Sequence, residues 1–581
     1  MTAGTASHWT ELEASKAQFG PGCAETIERL LSAMGQVEFE DAESLIRFHD
    51  LLLFLRAFPQ SRKVAHLADN LLAGIVHQVE RLQASGADLE RFDDEEFSGI
   101  AGTAISDNFT YDVACWLARR YPQQLTVEWN FEEQSRQMGA TLPRFIPLLE
   151  DDSLVEADTP FFAWMANAAG GPRKILPWLL QRVTDTPLTS LQRTSLYDSL
   201  AVNVTWKLGN SVASRTHARR NVSQMFYHRQ PLLRRNQVSL AGEMDSPPLP
   251  VRKLSRRQGE DMLDMTRTAL TVRYRELYGT TRGDPKQVFE ADVGRGVQIF
   301  LWGLPPERRL PLRAYHAGLT LKNGVPINYI EGISLFEWME VGFNTFYAFR
   351  DGETAWIYSK VLHFLHQLAG VTCLSVYPYQ LGHENEEAIK SGAFWFYRKL
   401  GFRPGRPELL AITRKEEARM RRDPAHRTSS RILRKLAAEH VFYEFGKEAP
   451  GQWDTFSTRR IGLAVQQRMA EEFGGDPEKL WRAATGALSQ QLQVDLGRWS
   501  PLEQAAFENF ASVLSLAPEL RQWTNVQKQA LVDIIRTKVS ADESKYLRLL
   551  QQHRELKEIV LRLGSESLRS KPRPSATKDN V

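Results

Sequence analysis

Apolar residues recur at the three-and-four spacing of a helix from about residue 24 to 230, and Leu45, Phe48, Leu52 and Leu55 form one clear stripe that Pro59 stops. The spacing predicts further helices over residues 64–82, 111–121 and 175–183, separated by Gly, Pro, Asp and Asn breaks. No fixed repeat is present, so a regular solenoid is not supported. After a helix predicted over 254–278 the period changes to two. Residues 297–302 read as a strand, 317–321 and 327–333 as a hairpin around Asn323-Gly324, and 341–349 as another strand. A helix over 357–368, stopped by Gly370, and a strand over 371–377 follow. From Thr413 to about 563 the pattern is helical again, with Ile432, Leu436, Leu463, Met469, Leu531, Ile534, Leu547, Leu550, Ile559 and Leu563 among its apolar positions. This order predicts an α+β, multidomain chain in which a mixed β-sheet module is enclosed between two mainly α-helical regions. The expected boundaries are a helical domain with a basic linker over 1–245, the α/β module over 246–414, a helical region over 415–563 and a disordered polar tail over 564–581.

The most informative segment is Ser391-Gly392-Ala393-Phe394-Trp395-Phe396-Tyr397-Arg398-Lys399-Leu400-Gly401-Phe402. Ala393, Phe396, Tyr397 and Leu400 share one helical face, Gly401 ends the helix in a left-handed turn, and Phe402 folds back onto the turn that carries Tyr397. An ordinary aromatic core helix has the same spacing. The pattern Ala-x-x-x-Tyr-x-x-x-Gly-Phe also resembles the last conserved helix of the Gcn5-related N-acetyltransferase (GNAT) superfamily, and the order of elements over about 254–413 resembles that family's core.

The resemblance implies a chemistry and a set of site residues. Acetyl-CoA or another acyl-CoA would be the co-substrate, with no metal, and Tyr397 would stand near its sulfur and return a proton to the departing thiolate. The loop that opens the helix after the central strand would hold the pyrophosphate on free N–H groups. Here that loop is Arg350-Asp351-Gly352-Glu353-Thr354-Ala355, so Arg350, Gly352, Glu353, Thr354 and Ala355 are the candidate donor-binding residues. Glu353 stands where the family has its first glycine, with Gly352 one position early. A carboxylate there repels a pyrophosphate unless it points away or is neutralised. In a plain helix start, Asp351 would be an N-cap and Glu353 a first-turn acid. Transfer to an amine needs a base. Glu340 on the central strand is the first candidate and Glu331 on the preceding strand the second, and each also reads as a solvent-facing strand residue. The loop after the last strand offers Tyr379, Gln380 and His383 for the acceptor. Lys390 occupies the place of a frequent family asparagine. Of the family's closing strand pair, only residues 409–413 show strand character.

Composition narrows the picture. The 581 residues carry 73 Lys plus Arg against 70 Asp plus Glu, so a net charge of +3 does not by itself predict a polyanion partner. The cysteines Cys23, Cys115 and Cys373 are scattered, which argues against a zinc site or a disulfide framework. His363 and His366 lack a nearby third ligand in sequence. No signal peptide or membrane-length apolar run is visible, and a cytoplasmic location is the expectation. Two basic stretches, 215–257 and 414–435, would contact an acyl carrier protein or nucleic acid, although solvated, linker-like charge is their plainer reading. The leading function is therefore a GNAT-type acyltransferase that moves an acetyl or other acyl group from a coenzyme A or carrier thioester to an unspecified amine. The alternative is a non-catalytic scaffold or binding protein with a degenerate GNAT-like module. Whether Glu353 fills the cleft at the helix start, or leaves it open to Tyr397, separates the two.

Overall fold

The computed structural model describes residues 3–35, 37–128, 138–146, 161–446 and 450–565, so all but the first two residues of the predicted tail lie outside the described residues. Three short strands, β1 (Ala104–Asp107), β2 (Leu125–Glu128) and β3 (Asn203–Lys207), form an antiparallel sheet in the order β1-β3-β2. Helices Tyr111–Arg120, Ile175–Thr184 and Ser190–Asp198 accompany it around a separate apolar core centred on Trp116, Trp206 and Leu179. The first region is thus helical only in the main. Strands of four or five residues carry too few alternations to stand out from a helical background.

The principal sheet has nine strands: β4 (Val251–Lys253), β5 (Val288–Asp292), β6 (Val297–Trp302), β7 (Ala314–Lys322), β8 (Val325–Leu335), β9 (Trp338–Thr345), β10 (Cys373–Val376), β11 (Arg403–Pro404) and β12 (Val441–Glu444). Their order is β11-β12-β10-β9-β8-β7-β6-β5-β4. Every neighbouring pair is antiparallel except β9 and β10, which helix Thr354–Ala369 connects. Two expectations fail here. Residues 409–413 lie inside helix Pro407–Arg422, which Pro407 opens at its first position. The strand that completes the sheet is β12, from the region read as helical, and it inserts between β10 and β11.

The helical flanks are not independent of this sheet. One apolar core runs from Trp9 through the sheet to Leu563. Helix Ala42–Ala57 is buried on nearly every side, not along its predicted stripe alone. At the other end, Gln551 donates to the carbonyls of Phe336 and Ala369, both at 3.0 Å. The expected linker is docked as well, since Leu249 exchanges main-chain bonds with the Gln367 amide at 2.8 and 3.0 Å. Within the 215–257 stretch Arg215 is buried against Asp50, Arg219 pairs with Asp69 and Arg252 with Glu290, whereas Arg229, Arg234, Lys253 and Arg257 are exposed. Among the described residues no helix is long and apolar enough to cross a membrane.

The joint between the N-terminal helices and the sheet is the β7–β8 hairpin. Asn323 (φ 49°) and Gly324 (φ 80°) make the left-handed pair that a two-residue hairpin turn requires. A Cβ on Gly324 would lie 2.0 Å from the Arg220 carbonyl oxygen, so the turn admits no side chain there. The Asn323 amide donates to the carbonyls of Ala57 (2.9 Å) and Phe226 (3.0 Å). Beside it the fully buried Lys322 donates to the Arg295 carbonyl, lies 3.8 Å from Glu353 and sits over the Phe58 ring at 4.9 Å. Burial, with Arg295 alongside, pushes its pKa down to about 7. Near neutrality the unfolded chain therefore binds more protons at this position than the folded one, and stability rises with pH. Denaturant unfolding between pH 7 and 8.5 is expected to show a gain of about 1–2 kcal/mol from this group, and Lys322→Met is expected to remove that rise.

Candidate active site

The site begins where two strands part. β9 pairs with β8 along its whole length, from Leu335–Trp338 to Asn328–Thr345, but with β10 only at Trp338, Met339 and Glu340. β10 ends at Val376, and Pro378 starts a short helix that carries the chain away. On that side the main-chain groups of residues 341–345 face a gap instead of a neighbouring strand. Helix Thr354–Ala369 starts beside this gap. Its buried face, including Ile357, Tyr358, Val361, Leu365 and Leu368, holds it in place. The first intrahelical donor is the Ile357 N–H, which reaches the Glu353 carbonyl, so the N–H groups of Thr354, Ala355 and Trp356 have no helical acceptor.

Glu353 does not enter the gap. It is 0% exposed, and its carboxylate accepts from both the Nε (3.1 Å) and the Nη2 of Arg295 and from the Leu233 N–H (3.0 Å). Arg295 is delivered by a left-handed turn, with Gly294, Arg295 and Gly296 at φ 82°, 54° and 71°. Gly352 is required by packing, since a Cβ there would lie 2.6 Å from the Phe58 ring.

The gap is a cleft of about 410 Å³ lined in part by Phe343, Thr345, Arg350, Thr354, Gln380 and Tyr397. A second groove, of about 360 Å³, shares Thr354 and Phe396 with it and runs past Gly352 and Ala355 to Arg234 and Arg235. Tyr397 sits on helix Ala393–Lys399; Gly401 has φ 110°, and the Phe402 N–H returns to the Tyr397 carbonyl at 3.2 Å, as the sequence predicts. The Tyr397 hydroxyl donates to Gln380 Oε1 at 3.2 Å, and burial raises its pKa. Gln380 lies over Gly342 of β9, where a Cβ would stand 3.0 Å from Nε2 and 3.7 Å from the Cβ of Glu331. The structure therefore gathers Tyr397, Gln380 and Glu331 around one point of β9. Burial raises the Glu331 carboxyl above its ordinary range, and the Tyr315 hydroxyl donates to it.

Other predicted site residues are placed differently. Glu340 accepts from His440 Nε2 at 2.8 Å, beside the Tyr377 ring, and neither it nor Glu331 is among the residues that line the cleft. Tyr379 lines the cleft and is 53% exposed, whereas His383 is exposed and outside it. Arg350 lines the cleft with its guanidinium bonded to Glu387, and Glu96 lies 3.9 Å away. Lys390 is exposed on the short helix Glu386–Ser391, whose N-cap is Asn385. His363 is bonded to Glu243 (2.9 Å) and His366 to the Val371 carbonyl (2.8 Å). Sequence reasoning missed the strand edge Phe343–Thr345, Tyr329 and the arginines Arg273 and Arg275, all of which line the cleft. Comparison with family models, with curated proteins and with solved structures finds no match.

Because Glu353 offsets buried positive charge, the family-like substitution Glu353→Gly is expected to destabilise the fold by about 3–5 kcal/mol, measured by denaturant unfolding. An unchanged midpoint would mean that the ion cluster does not hold the loop.

Proposed function

We propose that this chain is a GNAT-type N-acyltransferase, moving an acetyl or other acyl group from a coenzyme A or carrier thioester to an amine. The observation that carries this reading is the convergence, where β9 leaves β10, of a helix start with free N–H donors and of the Tyr397 hydroxyl on one open cleft. In this reading the donor's pantetheine arm lies along residues 341–345, and its phosphates meet the N–H groups of Thr354 and Ala355. The rest of the donor follows the second groove toward Arg234 and Arg235. Glu353 does not oppose this, because it is buried, lines neither groove and is neutralised by Arg295.

The chemistry assigns roles to residues in hand. A neutral amine attacks the thioester carbonyl, the C–S bond breaks, and the amine proton is passed on to the sulfur. Glu331 is the better base of the two candidates: it stands beside Gly342 and Gln380 just behind the cleft wall, so that a water would relay the amine proton to it, it has no cation within ion-pair distance among the described residues, and its raised pKa suits proton uptake. Glu340 is held by His440. The raised pKa of Tyr397 keeps it protonated; its one proton rests on Gln380 Oε1 and would turn from there to the departing sulfur as the C–S bond breaks. The non-catalytic alternative draws on Arg350, whose engagement by Glu387 removes a cation from the donor loop.

A thermal-shift series with acetyl-CoA, longer acyl-CoA and an acylated carrier protein decides between them. Binding at 100 times Kd is expected to add about 2.7 kcal/mol; no shift with any donor, the protein being folded, leaves only the binding module. With an active donor, Tyr397→Phe and Glu331→Gln are each expected to lower kcat about 10²-fold or more. The wild-type rate should rise with pH through a carboxyl pKa above the ordinary glutamate range, and Glu331→Gln should lack that limb.

A further inference from the structure

One wall of the cleft holds a buried cation with no carboxylate at ion-pair distance among the described residues. Arg273 lines the cleft and is only 6% exposed. Among the described residues no carboxylate lies within ion-pair distance of it, and its Nε has no hydrogen-bond partner. Its Nη1 donates to the Ala269 carbonyl at 2.5 Å, and its guanidinium stacks 4.0 Å over the Phe346 ring. Arg275 lines the same wall, bonded to the Tyr329 hydroxyl at 3.0 Å and with Glu95 no nearer than 3.8 Å. Arg215 is near enough to act against its charge and Asp50 near enough to favour it, and those two are tied to each other. A buried guanidinium with no carboxylate bonded to it is costly, and an oxyanion in the cleft would offset its charge.

The placement of this pair is built into the fold. Val272 belongs to the core of the small sheet, and Tyr274, at φ 54°, packs against that same core. The Val272 carbonyl accepts from Ser98 Oγ at 2.9 Å, and a Cβ on Gly99 would lie 2.5 Å from it, so the contact is close. Alternate residues are thus anchored in one core while Arg273 and Arg275 face the cleft. Their neighbours Tyr329, on β8, and Phe346, just past β9, pack on each other, and none of these four residues lines the groove that runs past Thr354 and Ala355 to Arg234 and Arg235, where the donor phosphates are placed.

We infer that Arg273 and Arg275 bind an anionic group on the acceptor, so that the amine to be acylated belongs to a molecule bearing a phosphate or carboxylate. This rests on the acyltransferase reading for the word acceptor, and on geometry alone for the anion site. Planar guanidinium forks suit both oxyanions, and charge-assisted pairs are the strong kind.

Isothermal titration of the full chain with inorganic phosphate and with phosphoethanolamine, with and without saturating coenzyme A, tests it. Both ligands are expected to bind in the presence of coenzyme A, with ethanolamine binding at least about tenfold more weakly than phosphoethanolamine. Arg275→Gln and Arg273→Lys, the second keeping a cation but losing the fork, are each expected to weaken phosphate binding about tenfold. No phosphate binding, or equal binding by both variants, overturns the inference. Displacement of phosphate by coenzyme A also overturns it, since the pair would then belong to the donor. If coenzyme A fails to bind while phosphate binds through Arg275, the transferase reading falls and the anion site stands.

Discussion

The buried cluster of Glu353, Arg295 and Lys322 is the constraint on which the rest of the site depends. Two basic groups and one carboxylate meet where Lys322 and Glu353 are both 0% exposed. All three cannot be charged at low cost in such a place. The ammonium is the one that yields, because burial and the neighbouring guanidinium both disfavour its proton, whereas a guanidinium keeps its charge. What remains is one neutralised pair bonded in two places, which fixes Glu353 at the head of helix Thr354–Ala369. The same cluster joins three parts of the chain: the β5–β6 turn, the end of β7, and the 226–233 segment through Phe226 and Leu233. A carboxylate that would repel an anionic donor from within the cleft instead holds the cleft's wall.

The wedge between β9 and β10 has an equally local cause. At its closed end Trp338 pairs with Cys373, its indole N–H donates to Ser375 Oγ at 2.8 Å, and it stacks on Trp453 with ring centres 5.2 Å apart. At its open end β10 has run out. Pro378, lacking an N–H, leads the chain into a helical turn, and the Gln380 side chain folds over the face of β9 at Gly342. Unpaired strand edges are normally covered or blunted. Here the edge Phe343–Thr345 borders a cleft.

Much of the sheet is legible in the chain because two signals agree there. The β7–β8 hairpin has both strict alternation and an Asn-Gly turn, and helix Thr354–Ala369 has both a stripe and a Gly370 stop at φ 71°. β12 has neither: Val441–Glu444 is four residues between helices, and its place in the sheet comes from long-range pairing with β10 and β11. Residues 409–413 mislead in the opposite sense, for their β-branched and apolar character serves a helix whose buried positions, Leu409, Thr413 and Glu416, recur at helical spacing. In the site, Tyr397 and Gln380 are visible as residue types in the right segments. The direction taken by Glu353 is not, because it depends on Arg295, far away in the chain.

The arginine pair shows why some site residues leave no mark in a sequence. Arg273-Tyr274-Arg275 continues the apolar and charged pattern of helix Arg256–Thr271, and nothing in the residue types says that the helix has ended. The end is made by tertiary packing: Val272 enters the core of the small sheet, and Tyr274 accepts a left-handed backbone to follow it. Such a conformation costs a non-glycine residue of the order of 1 kcal/mol and persists only where the surroundings over-determine it. The small sheet and its helices therefore do more than add mass to the N-terminal region. By clamping residues 272 and 274 they set where the charges of 273 and 275 stand, so a change in that core alters the cleft's electrostatics without touching any residue that lines it.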